Sequence, residues 1–358
     1  MKIGIITIFD PWANYGNKLQ NYAVCKVINK MNFEVKTLYV ENQANSLKEN
    51  IKFFIHKNTK YYFARDKNYW RYGYLKIKKF DAFNNKYIPN EQIKSFDNLS
   101  EQYDYFVIGS DQVWNPSWYD ELKKEAFLLT FARPEQKVCF SPSFGLCELP
   151  NKWKGHFKNA LKTFPNISVR EEAGAKIVKE LTGKAAEVLI DPTLMLEKEE
   201  WIKIESKPKG LDFEQEYILT YFLGDKTKKQ EEYIKKIADD NRLVIYNLLD
   251  YSQAELCTVA PSEFIYLIHN AKIVFTDSFH ACVFSFIFAK PFQVFHRNGS
   301  QGNMMSRIET LLNKFSLQRK LYGSMENDLF ECNYSEGYRK LSKEKDKVHE
   351  FLKKSLCL

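Results

Sequence analysis

Short apolar runs that stop abruptly on small polar residues, each followed by a helical stretch, recur along the whole chain. Residues 2–8 are apolar and give way to Asn14-Tyr15-Gly16-Asn17. Leu19, Tyr22, Ala23, Val27 and Ile28 then fall near helical spacing, and 33–40 reads as a second strand. Strand, polar loop, helix, strand is a βαβ unit, which commits a chain to parallel pairing with right-handed crossovers. The same punctuation returns at 105–108 before Gly109-Ser110-Asp111, at 138–140 before a Ser-Pro-Ser, at 167–169 before Arg170-Glu171 and at 187–190 before Asp191-Pro192. A second series comprises strands at 217–222, 243–246, 273–275 and 291–295, with helices over 264–268, from His280 to 289 and over 306–313. The less periodic, charged stretch 197–215, with Pro208 and Gly210, reads as a linker. The expected fold class is therefore α/β, two Rossmann-like domains facing a cleft: 1–196, then 216–335, with a basic helix over 336–358 packing back on the first. At 358 residues the chain is long enough for both.

Several functions lose their footing early. No apolar run approaches the ~20 residues of a membrane-spanning helix, and the N-terminal apolar run is too short for a secretion signal. Seven cysteines without a Cys-x-x-Cys or a Cys/His metal spacing read as reduced thiols, buried as small hydrophobes, in a cytoplasmic protein. There is no Gly-x-Gly-x-x-Gly after the first strand and no P-loop, so the usual dinucleotide and nucleotide phosphate cradles are missing. Metal-assisted transfer and serine hydrolysis lack their motifs too, and no metal is expected.

The net charge of +8 is unevenly placed. Residues 48–88 hold eleven Lys/Arg against three Asp/Glu, together with twelve aromatics. Nucleic acid or a membrane surface would each suit such a stretch, though no nucleic-acid module accompanies it and no nucleic-acid partner is expected. The bland alternative is a helix that packs through Tyr69, Tyr72 and Leu75, or through Tyr62 and Phe63, with its lysines solvated.

The polar clusters at strand ends carry what chemistry there is. In Thr276-Asp277-Ser278-Phe279-His280 an apolar strand runs straight into an apolar helix, placing His280 in the first turn among unpaired backbone N–H groups. That position suits an anion, and equally suits a helix capped by Asp277 or Ser278 with a structural histidine. Arg170, one residue past a strand, can fork onto a carboxylate or phosphate, or pair with Glu171, Glu172 or another acidic residue. Gly109-Ser110-Asp111-Gln112-Val113-Trp114-Asn115-Pro116 packs amide, carboxylate and indole into one loop, a composition that fits sugar hydroxyls and a stacked pyranose face, and equally a capped helix start.

Seven fragments in order resemble the polysaccharide pyruvyl transferase family: NYGNKLQNYAV (14–24), IGSDQVWNPSW (108–118), FSPSFG (140–145), ISVREEAG (167–174), DPTLML (191–196), TDSFHACVFSFIFAKPFQVF (276–295) and SRIETLL (306–312). The resemblance covers roughly 1–330. It implies a GT-B-like pair of domains, the first on the acceptor side and the second on the donor side. The implied reaction is metal-independent transfer of pyruvate from phosphoenolpyruvate, as co-substrate with no cofactor, onto two hydroxyls of one sugar in a polysaccharide or lipid-linked glycan precursor. A cyclic ketal forms and phosphate leaves. Within that reading His280 is the general acid and Arg170 the leading cationic clamp. Asp277, Ser278 and Arg307 complete the donor site. Asn14, Tyr15, Gly16 and Asn17, with Gly109, Ser110, Asp111, Gln112, Trp114 and Asn115, hold the acceptor. The basic stretch 48–88 would then touch the inner face of the membrane where lipid-linked acceptors are carried. Two other readings stay open: a GT-B glycosyltransferase using a nucleotide sugar, and a non-catalytic membrane-surface or glycan-binding protein.

Overall fold

The computed structural model describes residues 1–9, 14–40, 67–298, 305–324 and 329–358. Strands β1 (Lys2–Ile6), β2 (Glu34–Val40), β3 (Asn90–Ile93), β4 (Tyr105–Ile108) and β5 (Lys137–Cys139) form a parallel sheet in the order β3-β2-β1-β4-β5. A parallel pair follows, β6 (Ser168–Val169) with β7 (Glu187–Val188). The second large sheet orders β8 (Tyr217–Tyr221), β9 (Val244–Asn247), β10 (Ile273–Thr276) and β11 (Phe292–Val294) as β11-β10-β8-β9, again all parallel. The two Rossmann-like halves expected from the sequence are thus present. Central strands of parallel sheets are covered on both faces, which is why YILTY and IVFT are buried at every position.

Each sheet reverses its order once, between β1 and β4 and between β8 and β10. Open α/β sheets take ligands in the crevice outside the strand carboxyl ends at such reversals. The longer helices around the sheets are α1 (Tyr15–Asn29), α2 (Lys67–Tyr87), α3 (Asn151–Lys162), α4 (Glu172–Thr182), α5 (Lys228–Asn241), α6 (Pro261–Asn270), α7 (Phe279–Ile287), α8 (Met305–Lys314) and α9 (Ser335–Ser355).

Helix α1 is buried without a break from Tyr15 to Cys25, because it lies between the halves. Tyr15 stacks on Phe264 of α6 at 4.4 Å and its hydroxyl donates to the Val259 carbonyl at 3.0 Å. Tyr22 meets Trp201, which in turn meets Phe284 of α7 at 4.8 Å. One hydrophobic cluster therefore runs through both halves. Trp201, fully buried, also shows that 197–215 is more than a connector, since its short helix Lys198–Ile202 plugs the seam. Helix α9 reaches back to the first half: Lys345 pairs with Glu197, and the Tyr105 hydroxyl donates to the Leu356 carbonyl.

Two expectations need correction here. Among the described side chains of α2 the buried ones are Lys76, Phe80, Phe83 and Asn84, while Leu75 is 42% and Tyr74 58% exposed. Phe80 and Phe83 pack against Tyr15, Tyr22 and Tyr87, whereas Leu75 of the expected face is exposed; the Tyr69 side chain lies outside the described residues. Tyr62 and Phe63, and the whole of 48–66, lie outside the described residues. The cysteines also divide: Cys25, Cys139, Cys257 and Cys282 are buried, whereas Cys147, Cys332 and Cys357 are exposed, and all are free thiols. Among the described residues no helix is long and apolar enough to cross a membrane.

Candidate active site

Four strand carboxyl ends deliver charged side chains to one buried spot. β4 runs into Asp111, β6 into Arg170, β7 into Asp191 and β10 into His280. The Arg170 guanidinium bridges two of them, with Nη1 to Asp191 Oδ2 at 2.5 Å and Nη2 to Asp111 Oδ1 at 3.0 Å. The Phe279 ring lies 4.6 Å from it, covering the cation. Asp191 is further held by the Thr193 backbone N–H and hydroxyl, at 3.0 and 2.6 Å, and by the Ser110 hydroxyl at 3.2 Å. Asn17 of α1 donates to the other oxygen of Asp111. Arg307 of α8 comes within 3.6 Å of Asp111 and donates to the Gln112 carboxamide oxygen when that amide is turned toward it.

His280 stands in the first turn of α7 with Nε2 3.7 Å from Asp191 Oδ2. Its ring rests on the start of α1 at Gly16, where a Cβ would meet the imidazole Nδ1 at 2.1 Å. Gly16 is required by this close approach.

Charge compensation in the cluster is uneven. Burial would raise the carboxyl of Asp191, but His280, Arg170 and Thr193 together hold it well below the usual carboxylate range. Asp111 is likewise lowered against its burial by Arg170, His280 and Arg307. Burial would lower Arg170, yet Asp191 and Asp111 raise it above the ordinary guanidinium value. Arg307 goes the other way, to about 10, because burial and the like charge of Arg170 outweigh its attraction to Asp111 and Glu171. Arg170 is thus the neutralised cation of the pair and Arg307 the under-compensated one.

Buried polar atoms without a partner gather at this spot: His280 Nε2, Arg170 Nε, Arg307 Nε and Glu171 Oε2. Buried polar groups are rarely left so, and two of these side chains, Arg170 and Arg307, line one small void. A void of about 10 Å³, lined by Arg170, Asp191, Phe279 and Arg307 among others, has room for about one water.

Of the residues singled out from sequence, Asn17, Ser110, Asp111, Gln112, Arg170, His280 and Arg307 come together, so the expected donor and acceptor sets form one network. Asp277 accepts from the Leu223 and Gly224 N–H groups at 2.7 and 2.8 Å and from Arg297 Nε at 3.1 Å. Its carboxylate thus holds the loop after β8 to Arg297. Ser278 starts α7 without a side-chain cap bond. Trp114 is fully buried, with Nε1 donating to the Phe127 carbonyl at 3.0 Å, so no sugar face can stack on it here. Tyr15 is core in the same sense. Asn14 accepts from the Asn17 N–H and Asn115 from the Ser117 N–H, each capping the next turn. Gly109 is needed where a Cβ would stand 2.3 Å from the Phe140 carbonyl oxygen.

Sequence reading missed Asp191 as a site residue. Its signal was there, an acidic residue at a strand end, but Asp-Pro-Thr also reads as a turn cap, and Asp191 does cap the Pro192–Met195 turn through Thr193. It missed Glu171 too, which accepts from the Ser143 hydroxyl and from the Phe144 and Gly145 N–H groups, fixing the loop after β5 beside Arg170.

A family model, polysaccharide pyruvyl transferase, matches residues 14–296 and so takes in Asp111, Arg170, Asp191 and His280. Solved structures similar to the chain include UDP-GlcNAc 2-epimerase from Neisseria meningitidis bound to UDP-GlcNAc, 10% identical over 99% of this chain and 100% of that one, with a TM-score of 0.46. Anabaena Alr3699/HepE in complex with UDP and glucose is 9% identical over 99% and 100%, with a TM-score of 0.44. UDP-GlcNAc 2-epimerase from Methanocaldococcus jannaschii is 12% identical over 96% and 99%, at 0.43. Comparison with curated proteins gives no match.

Proposed function

Because the chain belongs to the polysaccharide pyruvyl transferase family, and is thereby a transferase of polysaccharide biosynthesis, we propose that it moves pyruvate from phosphoenolpyruvate onto two hydroxyls of one sugar. The product is a cyclic ketal and the leaving group is phosphate. The observation that carries this reading is His280, a buried imidazole whose Nε2 makes no hydrogen bond and faces Asp191 at 3.7 Å, with two guanidinium groups nearby.

The chemistry asks for a proton at the donor's methylene carbon, which makes C2 electrophilic. His280 supplies that proton. The first sugar hydroxyl bonds to C2 and returns its proton to His280. The C2–O bond to phosphate breaks, and the second hydroxyl bonds to C2 as its proton leaves with phosphate. Asp191 Oδ2 faces the His280 Nε2 and orients the ring, and the Asp111–Arg170–Asp191 triad sets the frame. Arg307, under-compensated and partly unpartnered, is the cation best placed to take the donor's carboxylate or phosphate. Neither cofactor nor metal is needed for these steps.

The acceptor is a sugar of a polysaccharide or of a lipid-linked precursor, met at the cytoplasmic face of a membrane. Exposed Tyr74, Leu75 and Lys78 on α2 support that address, since a basic face with an aromatic and an aliphatic side chain suits anionic headgroups.

Incubation with phosphoenolpyruvate and a panel of galactose-, mannose- and glucosamine-containing glycans should release phosphate and add a pyruvyl mass to one of them. His280→Ala should abolish both. No mass shift with any acceptor, or thermal stabilisation by nucleotide sugars and none by phosphoenolpyruvate, would overturn the reading in favour of a glycosyltransferase.

A further inference from the structure

Apart from exposed Asn14, the residues first assigned to the acceptor are buried within the fold, which leaves the acceptor without an open site among them. A groove of about 550 Å³ opens beside that network, between the first turn of α4 and one face of α8. Its size falls within the ~300–1,000 Å³ of small-molecule sites. From α8 it receives Ser306, Glu309, Thr310, Asn313 and Lys314, the i, i+3, i+4, i+7, i+8 positions of a single face. The opposite face, Ile308, Leu311 and Leu312, is buried with Arg307. The groove face is the solvent side of this amphipathic helix, with Glu309 and Asn313 exposed and Ser306, Thr310 and Lys314 half-buried.

Two features tie the groove to the site. It shares Thr310 and Lys314 with the small void that holds Arg170, Asp191 and Arg307. Glu172 lies two residues after Arg170, and Ser306 immediately before Arg307, so the groove's walls are the flanks of the two cations. It also joins the halves, with α4 from the first and α8 from the second.

Its charge selects the occupant. Glu172 and Glu309 are exposed and paired to no cation among the described residues. Lys314 is already committed to Glu344 at 2.6 Å and to the Val188 carbonyl. Two free carboxylates repel a donor that carries both a carboxylate and a phosphate, and they accept hydrogen bonds well from adjacent hydroxyls. We propose that the α4–α8 groove receives the sugar acceptor, an uncharged hexose rather than a uronic acid, with Glu172 and Glu309 gripping its hydroxyls. This rests on the transferase reading for the direction of the chemistry, and the test below reads binding alone.

Cys147 lines the groove and is exposed, so it reports occupancy. The experiment uses the full chain with Cys332→Ser and Cys357→Ser and follows alkylation of Cys147 by N-ethylmaleimide. Probes are the methyl glycosides of galactose, mannose and N-acetylglucosamine, with phosphoenolpyruvate alone as control. At least one glycoside should slow alkylation several-fold, phosphoenolpyruvate should not, and Glu172→Gln with Glu309→Gln should erase the protection at an unchanged melting temperature. Both glutamates are exposed, so the double variant is expected to fold. Protection by no glycoside, protection by phosphoenolpyruvate alone, or protection that survives the double variant overturns the assignment. Protection without phosphate release in the turnover assay would sink the transferase reading and leave the groove as a sugar site.

Discussion

Gly16 and His280 touch across the seam between the halves, the glycine offering bare backbone where a Cβ would stand 2.1 Å from the imidazole Nδ1. Gly16→Ala should therefore push the ring away from Asp191 while adding only one methyl group to α1, a helix in which alanine is favoured. Misplacing a catalytic group by about 1 Å costs on the order of 10²-fold. The expected outcome is a fall of that order in the turnover rate with a modest change in melting temperature. Wild-type turnover in Gly16→Ala would show that the contact does not position His280.

Arg170 and Arg307 should separate in their effects. Removing Arg170 strands two buried carboxylates, Asp111 and Asp191, and breaking a buried pair in this way costs about 3–5 kcal/mol. Arg170→Ala is thus expected to lower the melting temperature sharply, or to prevent folding. Arg307→Ala strands less, since its nearest carboxylate is at 3.6 Å. It should keep the fold and raise the KM for phosphoenolpyruvate, and Arg307→Lys should recover part of the loss by keeping the charge without the fork. Calorimetry beside donor-titration kinetics decides between them, and the reverse pattern would exchange the two roles.

The alternating strand and helix runs made the two-domain α/β fold readable, because a buried parallel strand must be apolar throughout and must end where the backbone turns into polar loop. Residue identities at those ends, His280 and Arg170 above all, were equally visible. What they pair with was not. Arg170 meets Asp111 and Asp191, 59 and 21 residues away, and no local spacing encodes such contacts. Trp114 misled for a related reason: indole in a polar loop looks like a stacking platform, but in this chain it is a core plug between Phe144 and Phe164. Asn17 and Gln20 of α1 also reach inward, Gln20 linking Thr7 to the Ser110 N–H. Burial converts hydrogen-bonding letters that look like a ligand site into the fixtures that hold one.

Lys76 of α2 gives a prediction about stability. It is buried over the Tyr15 ring at 4.9 Å with no acidic partner among the described residues, and burial pushes its ammonium down to about 8, partly opposed by Cys257. The unfolded chain holds that proton up to about pH 10.4. Between those values the unfolded state binds more protons than the folded one, so stability rises with pH across about 8 to 10. Lys76→Met should remove this penalty at neutral pH, a gain on the order of 2–3 kcal/mol that fades above about pH 10. Thermal melts of both proteins at neutral and alkaline pH check it. A variant less stable than wild type at pH 7 would mean that the ammonium over Tyr15 is net stabilising.

The outer face of α2 makes the membrane address testable. Tyr74 and Leu75 stand exposed, Lys78 lies over the Tyr74 ring at 4.7 Å, and Lys86 ends the helix on the solvent side. Anionic lipid attracts such lysines by about 1 kcal/mol each, an attraction screened within a Debye length of about 8 Å at physiological salt. The chain should therefore sediment with phosphatidylglycerol vesicles, release as salt is raised, and ignore phosphatidylcholine vesicles. Lys78→Glu with Lys86→Glu should weaken partitioning by on the order of tenfold or more. Tyr74→Ser with Leu75→Ser should weaken it even at low salt, because that part of the contact is apolar burial rather than charge. Both pairs are exposed, so neither should shift the melting temperature or the turnover of a soluble acceptor. Equal binding by all three proteins would take α2 out of the contact and return its lysines to solvent.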